Sequence, residues 1–239
     1  MKRRIHSLER RVFLEQSLSL GALSLLAGCD ITNDDQVQRV LLGMSEWNDR
    51  EQAWLFDPKK LAPEYPESRI EDPFPFNAYY GEEEVKTIDE TDYRLELGGL
   101  IKERKSWRLP ELYALPQVSQ VTRLICVEGW SAIGKWSGVR LSDFLQRVGA
   151  DLTAKYVGFK CADEYYGSID MASALHPQTI LALRYADQIL PPKYGFPMRL
   201  RIPTKLGFKN PKHIAAIFVS NTHPGGYWED QGYNWFSGS

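Results

Sequence analysis

One cysteine in this 239-residue chain stands where a reactive side chain is expected. The apolar run 121–125 predicts a strand that delivers Cys126 to a turn, because Gly129, Ser131 and Gly134 follow closely. A thiolate at the end of a strand can serve as a soft metal ligand or as a nucleophile. A cysteine in this position is also commonly a buried small hydrophobic residue. The segment by itself leaves both interpretations open.

A cluster of basic residues follows the cysteine at a distance, in a stretch interrupted by proline and glycine. Five basic side chains fall between positions 199 and 212: Arg199, Arg201, Lys205, Lys209 and Lys212. Arginine offers a planar fork that matches phosphate geometry, and lysine adds a point charge. The pattern therefore predicts either a loop that binds phosphate or an ordinary solvated surface.

The N-terminus has the order of features that an export signal requires. Arg10 and Arg11 precede apolar residues, and the apolar stretch 18–27 is too short to cross a bilayer as a stable helix. The sequence Leu-Ala-Gly-Cys that ends at Cys29 resembles a lipobox. We therefore predict a twin-arginine lipoprotein signal peptide over residues 1–28 and lipidation at Cys29, with an ordinary buried helix as the alternative. The twin-arginine route carries folded proteins, often with a cofactor already inserted.

Charge and cysteine content exclude several classes of protein. The net charge is −2, and removal of residues 1–28 makes the remainder more acidic, which argues against nucleic acid as a partner. With Cys29 acylated, only Cys126 and Cys161 remain, so a disulfide between them is the structural alternative to a metal site. Zinc, haem c and iron–sulfur motifs are absent from the sequence, and His176 is interpreted as structural.

The elements that position these residues are short. Residues 29–75 are rich in proline after position 57 and are predicted to form an extended tether that wraps the surface. Residues 76–239 are predicted to form one α+β domain with mostly antiparallel sheets. Strands are predicted at 93–97, 156–161, 180–185, 198–202 and 213–219, the last buried on both faces. Short helices are predicted from Leu109, at 141–148 with Ser142 as N-cap and Gly149 as C-cap, and at 168–175.

The order of residues in the central segment resembles that of a known family. Cys-Val-Glu-Gly-Trp-Ser at 126–131, followed by Trp136-Ser-Gly-Val139 and Leu141, resembles the molybdenum-ligand segment of the sulfite oxidase family. The resemblance extends from about Phe76 to the C-terminus and is closest to bacterial exported members of the methionine sulfoxide reductase type. It implies a sulfite-oxidase-type molybdopterin-binding domain, Mo-molybdopterin as cofactor, and Cys126 as metal ligand and catalytic residue. It also implies a set of cofactor-binding residues: Asn77, Tyr80, Gly81, Cys161, Tyr194, Arg199, Asn210, Pro211 and Lys212.

Two of those positions depart from the pattern of the reductase type. Tyr194 replaces a polar amide and Cys161 replaces a threonine, which puts the substrate in doubt. The resemblance implies oxygen-atom transfer that reduces a small-molecule or protein-bound sulfoxide. Electrons would come from a membrane cytochrome b or a soluble cytochrome c, with the enzyme held by its lipid on the periplasmic side of the cytoplasmic membrane. The alternatives are a sulfite dehydrogenase, for which Arg123, Arg140 and Arg201 are the candidate anion contacts, and a non-catalytic lipoprotein binding module.

Overall fold

The computed structural model describes residues 35–238, and the predicted export signal and Cys29 lie outside them. The chain divides into two units, residues 1–48 and 49–239. The described part of the first unit is helical. Helix α1 begins there, continues into the second unit and spans Asp35–Leu55. Within the described residues, no helix combines the length and the hydropathy needed to cross a bilayer.

The prediction of an extended tether is wrong for the residues of α1, because they are helical. No proline lies between residues 35 and 55, so every backbone N–H of that stretch remains available to the helix. The later part does run along the second unit. Glu64 forms a β-bridge with Thr122, and the side chain of Phe74 is buried. The domain boundary at residue 75 stays a prediction.

Short strands joined by brief helical turns make up residues 94–220. In chain order the strands are β1 (Arg94–Gly99), β2 (Trp107–Arg108), β3 (Val118–Ile125), β4 (Ser131–Arg140), β5 (Tyr156–Cys161), β6 (Tyr166–Asp170), β7 (Ile180–Tyr185), β8 (Gln188–Ile189), β9 (Arg199–Arg201) and β10 (Ile214–Ser220). The helices after α1 are α2 (Leu109–Tyr113), α3 (Leu141–Arg147) and α4 (Met171–Ala174). Single 3-10 turns span Glu67–Arg69, Glu82–Glu84, Pro192–Tyr194, Gly207–Lys209 and Glu229–Gln231.

The strands form two sheets, and this arrangement confirms the predicted α+β class. One sheet has the order β2-β1-β10-β5-β6, in which β1 and β10 are parallel and the other pairs antiparallel. The other sheet has the order β3-β4-β7-β8, with β9 paired to β7, and is antiparallel throughout. Strands β3 and β4 are joined by the short loop 126–130, so Cys126 is the first residue of a hairpin loop.

Most of the predicted elements are confirmed, and the differences are local. Helix α3 is preceded by Arg140 at its N-cap, not by Ser142, because the chain leaves β4 directly into the helix. The helix predicted at 168–175 is wrong in its first half, since Ser168 lies in β6 and Asp170 caps α4 by accepting the N–H of Ser173. Strand β10 is central in its sheet, but Phe218 is only half-buried, so burial on both faces is not complete.

Candidate active site

The thiol of Cys126 lies in the wall of a cavity, at the start of the β3–β4 loop. The backbone N–H of Cys126 donates to the carbonyl of Trp130, and the N–H of Gly129 donates back to Cys126. Gly129 has φ 91°, a left-handed conformation that favours glycine, so the turn is closed by its own sequence. These bonds fix the backbone of the cysteine while its side chain points into the fold, where it is 8% exposed.

The Cys126 thiol is free and has one polar neighbour among the described side chains. Its Sγ lies 3.7 Å from Oε2 of Glu128, and the same oxygen accepts a hydrogen bond of 2.9 Å from Trp130 Nε1. Burial is the largest cause of a raised pKa for the Cys126 thiol, and the Glu128 carboxylate adds to it. Because its pKa is raised, this thiol is protonated at neutral pH. A bound metal ion would reverse that state, because metal coordination deprotonates a thiol.

A cavity of about 150 Å³ opens beside this thiol. Its charged side chains are two carboxylates and one ammonium group, those of Glu128, Asp163 and Lys212. The rest of the wall is largely aromatic, amide or backbone. The lining residues are Phe76, Asn77, Ala78, Tyr79, Cys126, Val127, Glu128, Asp163, Tyr165, Gly207, Phe208, Asn210, Pro211, Lys212 and Trp228.

Tyrosines and a buried carboxylate form one side of the cavity. The hydroxyl of Tyr80 donates to Asp163 Oδ2 at 2.9 Å, and the hydroxyl of Tyr79 donates to the carbonyl of Asp163. The hydroxyl of Tyr165 donates to the carbonyl of Phe208 at 2.7 Å, which joins this side to the loop opposite. Burial, together with the nearby Asp163 carboxylate, raises the pKa of Tyr79 to about 12. These phenols therefore stay protonated and act as donors at neutral pH.

Buried cations lie around the same cavity, and one of them, Lys212, is 5.6 Å from the centre of the Tyr80 ring. Arg199 is fully buried, donates to Asn77 Oδ1 at 3.2 Å, and lies over the ring of Trp136 at 5.1 Å. Lys212 lies over the ring of Phe76 at 4.4 Å and donates to the carbonyl of Lys193 at 3.4 Å. Burial lowers the pKa of Arg199 to about 10. Burial, followed by repulsion from Arg199, lowers the pKa of Lys212 to about 7.

The structure brings most of the predicted site residues together. Five of them line the cavity: Asn77, Cys126, Asn210, Pro211 and Lys212. Two more contact the lining residues directly, Arg199 through Asn77 and Tyr80 through Asp163. Both side-chain polar groups of Asn210 are used by other residues, the oxygen by Arg201 and Ile202 and the nitrogen by Leu206. Asn210 therefore presents mainly its backbone to a ligand.

Three predicted cofactor residues lie elsewhere. Gly81 begins the turn at 82–84, and its N–H donates to the Glu84 carboxylate. Tyr194 packs in the smaller core cluster and donates to the carbonyl of Phe74 at 2.9 Å. Cys161 packs in the larger core cluster, where burial raises the pKa of its thiol well above the usual value. None of the three lines the cavity, and their roles toward a cofactor stay predictions.

The disulfide alternative is not what the structure shows, because Cys126 and Cys161 are both free. His176 has the predicted structural role: its ring bonds the Lys60 carbonyl and the N–H of Gln178. Within residues 35–238, no group of three or more His, Cys, Asp or Glu side chains is arranged to hold a metal ion. Cys126 is thus a single-ligand candidate, which fits only a metal whose other ligands come from a cofactor or from solvent.

Several cavity residues were not predicted from the sequence as parts of the binding site. Glu128 lies two residues from Cys126, and this spacing in a turn was a signal that could have found it. Tyr79 is next to the predicted Tyr80 but was not singled out. Phe208 and Trp228 come from distant segments and reach the cavity only through the tertiary structure. No local pattern distinguishes them from ordinary core aromatic residues.

The donor set fits an anionic cofactor that carries a soft metal. The Nε atoms of Arg199 and Arg201 are buried without an acceptor, although each guanidinium makes other hydrogen bonds. In the described part of the chain, no carboxylate forms an ion pair with Arg199, Arg201 or Lys212. Buried cations without anions repel one another, and a phosphate would relieve that repulsion. The free thiol in the cavity wall is a group of the soft-ligand type.

A free thiol and an ammonium group in the wall of one cavity, with the guanidinium group of Arg199 bonded to the lining residue Asn77, suit a domain that holds an anionic metal cofactor. The chain belongs to the family described as the oxidoreductase molybdopterin binding domain, which matches residues 82–228. It is a molybdenum-dependent oxidoreductase with Mo-molybdopterin as its cofactor. The predicted membership in the sulfite oxidase family, with its fold and cofactor, is confirmed.

Named relatives agree with this assignment. A protein of Azospira oryzae, provisionally named protein-methionine-sulfoxide reductase subunit YedZ1, is 66% identical over 230 residues, which are 96% of this chain and 88% of that protein. The protein-methionine-sulfoxide reductase catalytic subunit MsrP of Xanthomonas axonopodis pv. citri is 30% identical over 187 residues, 68% of this chain. The match covers 58% of that MsrP, so the chain spans little more than half of its length.

A solved structure shows the same fold. The sulfane dehydrogenase SoxCD from Paracoccus pantotrophus superimposes with a TM-score of 0.54 over 58% of this chain and 40% of that chain. The two sequences are 19% identical, so the likeness concerns the fold alone.

Proposed function

We propose that this protein reduces sulfoxides by oxygen-atom transfer at a molybdenum that Cys126 ligates. The observation that carries the proposal is the convergence of the Cys126 thiol with Asn77, Pro211 and Lys212 around one cavity. Thiol and cations come from segments more than seventy residues apart, yet they face the same space. The relative named as a methionine-sulfoxide reductase subunit, identical at 66% of aligned positions, supports the same reaction.

The charges of the cavity wall favour a neutral sulfoxide over the sulfite anion. A sulfite site calls for convergent arginines, and the lining residues include none. The side chain of Arg123 lies over the ring of Tyr65 on the exposed side of β3. Arg140 ends β4, about 30 Å from the hairpin loop at the usual rise of about 3.3 Å per residue. The Nη1 and Nη2 atoms of Arg201 already donate hydrogen bonds to neighbouring acceptors.

The cofactor, when bound, supplies two-electron oxygen-atom chemistry. Reduction of one sulfoxide to a thioether consumes two electrons and two protons and releases one water. In this chain, the carboxylates of Glu128 and Asp163 are the groups in the cavity wall that can pass those protons from solvent. Arg199 and Lys212 would hold the cofactor phosphate, and Cys126 would contribute a thiolate that increases electron density at the metal.

Residues outside the described range complete the proposal. The twin-arginine pair at 10 and 11 and the lipobox before Cys29 support export as a folded protein and a lipid tether on the periplasmic side of the cytoplasmic membrane. Electrons come from a partner, a membrane cytochrome b or a soluble cytochrome c. Substitution of Cys29 by serine is expected to move the protein from the membrane fraction to the soluble periplasmic fraction. Retention in the membrane fraction would contradict the tether.

The decisive experiment is Cys126→Ala, purified after export and compared with wild type and with Ser119→Ala. Ser119 is an exposed residue of β3, the strand that leads to Cys126, so it controls for a change in β3. We expect Cys126→Ala to lose dye-linked sulfoxide reduction while its circular dichroism and melting temperature stay close to wild type. Full turnover in Cys126→Ala would refute the ligand assignment. Faster sulfite oxidation than sulfoxide reduction by the wild type would refute the substrate class.

A further inference from the structure

Arg201 is a fully buried cation that joins two segments of the chain through hydrogen bonds. It lies in β9, its side chain is fully buried, and burial followed by repulsion from Arg199 lowers its pKa to about 9. Among the residues that the structure describes, no carboxylate pairs with it. Burial of a charge without an opposite charge is costly, so the hydrogen bonds of the guanidinium group must offset part of that cost. The groups that it bonds therefore indicate what the arginine does in the fold.

The hydrogen bonds of Arg201 join two parts of the active site. Its Nη2 donates to the carbonyl of Arg123 and, at 3.2 Å, to Thr122 Oγ1, both on β3. Its Nη1 donates to Asn210 Oδ1 at 3.1 Å, in the loop 206–212 that forms one wall of the cavity. The Arg123 carbonyl is three residues before Cys126, about 10 Å of extended chain at most.

The loop and the strand are in close contact at the point that Arg201 fixes. A Cβ placed on Gly207 would lie 3.2 Å from the Leu124 side chain and 3.6 Å from the Cα of Cys126. The loop at Gly207 therefore leaves little room between itself and the end of the strand at Leu124 and Cys126. The planar fork of arginine reaches acceptors on the strand and on the loop through two separate nitrogens, whereas lysine would have to reach them from a single nitrogen.

We propose that Arg201 is a positioning residue, which fixes the strand that ends at Cys126 against the loop that carries Asn210. Arg201 does not line the cavity and acts through these two elements. Its function is to set where the Cys126 sulfur meets the metal, a role that rests on the proposed ligation by Cys126. Anchoring of the cofactor phosphate belongs to Arg199 and Lys212 and does not depend on Arg201.

The test compares Arg201→Met, Arg201→Lys and wild type, each purified with its cofactor. Arg201→Met should keep most of its molybdenum, because the phosphate contacts remain. Its Mo(V) electron paramagnetic resonance signal should change shape, since that signal reports the geometry at the ligating sulfur. Its kcat per molybdenum for a sulfoxide should fall about tenfold or more, as small misplacements of reacting groups do. Its KM should change by less than about threefold, because substrate contacts are unchanged.

Two variants besides Arg201→Met keep the test decisive if that variant folds poorly. Thr122→Val removes one acceptor of the fork outside the cavity and should shift the signal in the same direction by a smaller amount. Arg201→Lys keeps the charge and part of the bonding and should recover part of the wild-type signal. Arg147→Met, an exposed arginine on α3, is the matched control and should leave signal and turnover unchanged.

An unchanged signal and unchanged kcat per molybdenum in the Arg201 and Thr122 variants, with only a lower melting temperature, would overturn the positioning role. The spectroscopic measurement needs no substrate. A wild type that fails to reduce sulfoxides therefore refutes the proposed function while the signal still decides the role of Arg201.

Discussion

A buried ion pair between Lys209 and Glu229 is expected to hold the C-terminal segment against the cavity. Lys209 ends the 3-10 turn of the cavity loop, and its ammonium group is bonded to the carboxylate of Glu229. The two side chains are 2% and 6% exposed. Glu229 follows Trp228, which lines the cavity, so the pair connects the stability of the segment to the shape of the site.

The substitution Glu229→Gln leaves an ammonium group buried without its anion. Burial already lowers the pKa of Lys209, and the Glu229 carboxylate is the largest influence that opposes this lowering. Removal of one partner of a buried pair costs about 3–5 kcal/mol. In a unit of roughly 200 residues, 1 kcal/mol corresponds to about 2–4 °C, so the melting temperature should fall by about 6–20 °C. The double variant Lys209→Met/Glu229→Gln should lose less than Glu229→Gln alone, because it removes the unpaired charge.

Urea unfolding and thermal scans of the cofactor-loaded protein measure this loss. Asp230→Asn is the matched control, because Asp230 is the neighbouring carboxylate and its side chain accepts an exposed hydrogen bond from the Tyr166 hydroxyl. Its effect should be small. A loss of less than about 1 kcal/mol in Glu229→Gln, or a double variant less stable than Glu229→Gln, would show that the pair does not carry the expected energy.

Three other outcomes follow from the structure. Lys212→Met should lower the molybdenum content of the purified protein, whereas Lys160→Met, on the exposed face of β5, should not; equal metal contents would contradict the phosphate role. Burial lowers the pKa of Lys205 from 10.5 to about 7, so the folded chain has released a proton that the unfolded chain still holds between those values. The free energy of unfolding should therefore rise from pH 7 toward pH 10, and Lys205→Met should flatten that rise in urea titrations. Identical pH profiles of the variant and the wild type would contradict this role of Lys205. A Cβ on Gly138 would lie 1.9 Å from the Leu181 carbonyl oxygen, so Gly138→Ala should destabilise by about 1–3 kcal/mol, and an unchanged urea midpoint would contradict this.

Local patterns predicted the elements well wherever one periodicity dominated. The alternation of apolar and polar residues before Gly98 predicted β1, and the apolar spacing after Leu141 predicted α3. Each element buries one face, so the period of the sequence matches the period of the structure. Prediction failed where a nearby interaction decided the backbone instead. The N-cap of α3 is one case, and the start of α4 is another, because pairing of β6 with β5 takes Ser168 into a strand.

The same division applies to the candidate site. The sequence by itself determined that a cysteine follows a strand, that basic residues cluster between 199 and 212, and that the chain resembles one family. It did not distinguish Arg199 from Arg201, two positions apart on one short strand.

Only the tertiary structure placed Arg199 against Asn77 and directed Arg201 to the strand of Cys126. It also packed Cys161 into the larger core and brought Trp228 to the cavity. The physical reason is that local sequence sets backbone geometry and which face of an element is apolar. Which buried polar groups meet depends instead on hydrogen bonds between segments far apart in the chain, and these exist only once both sheets have packed.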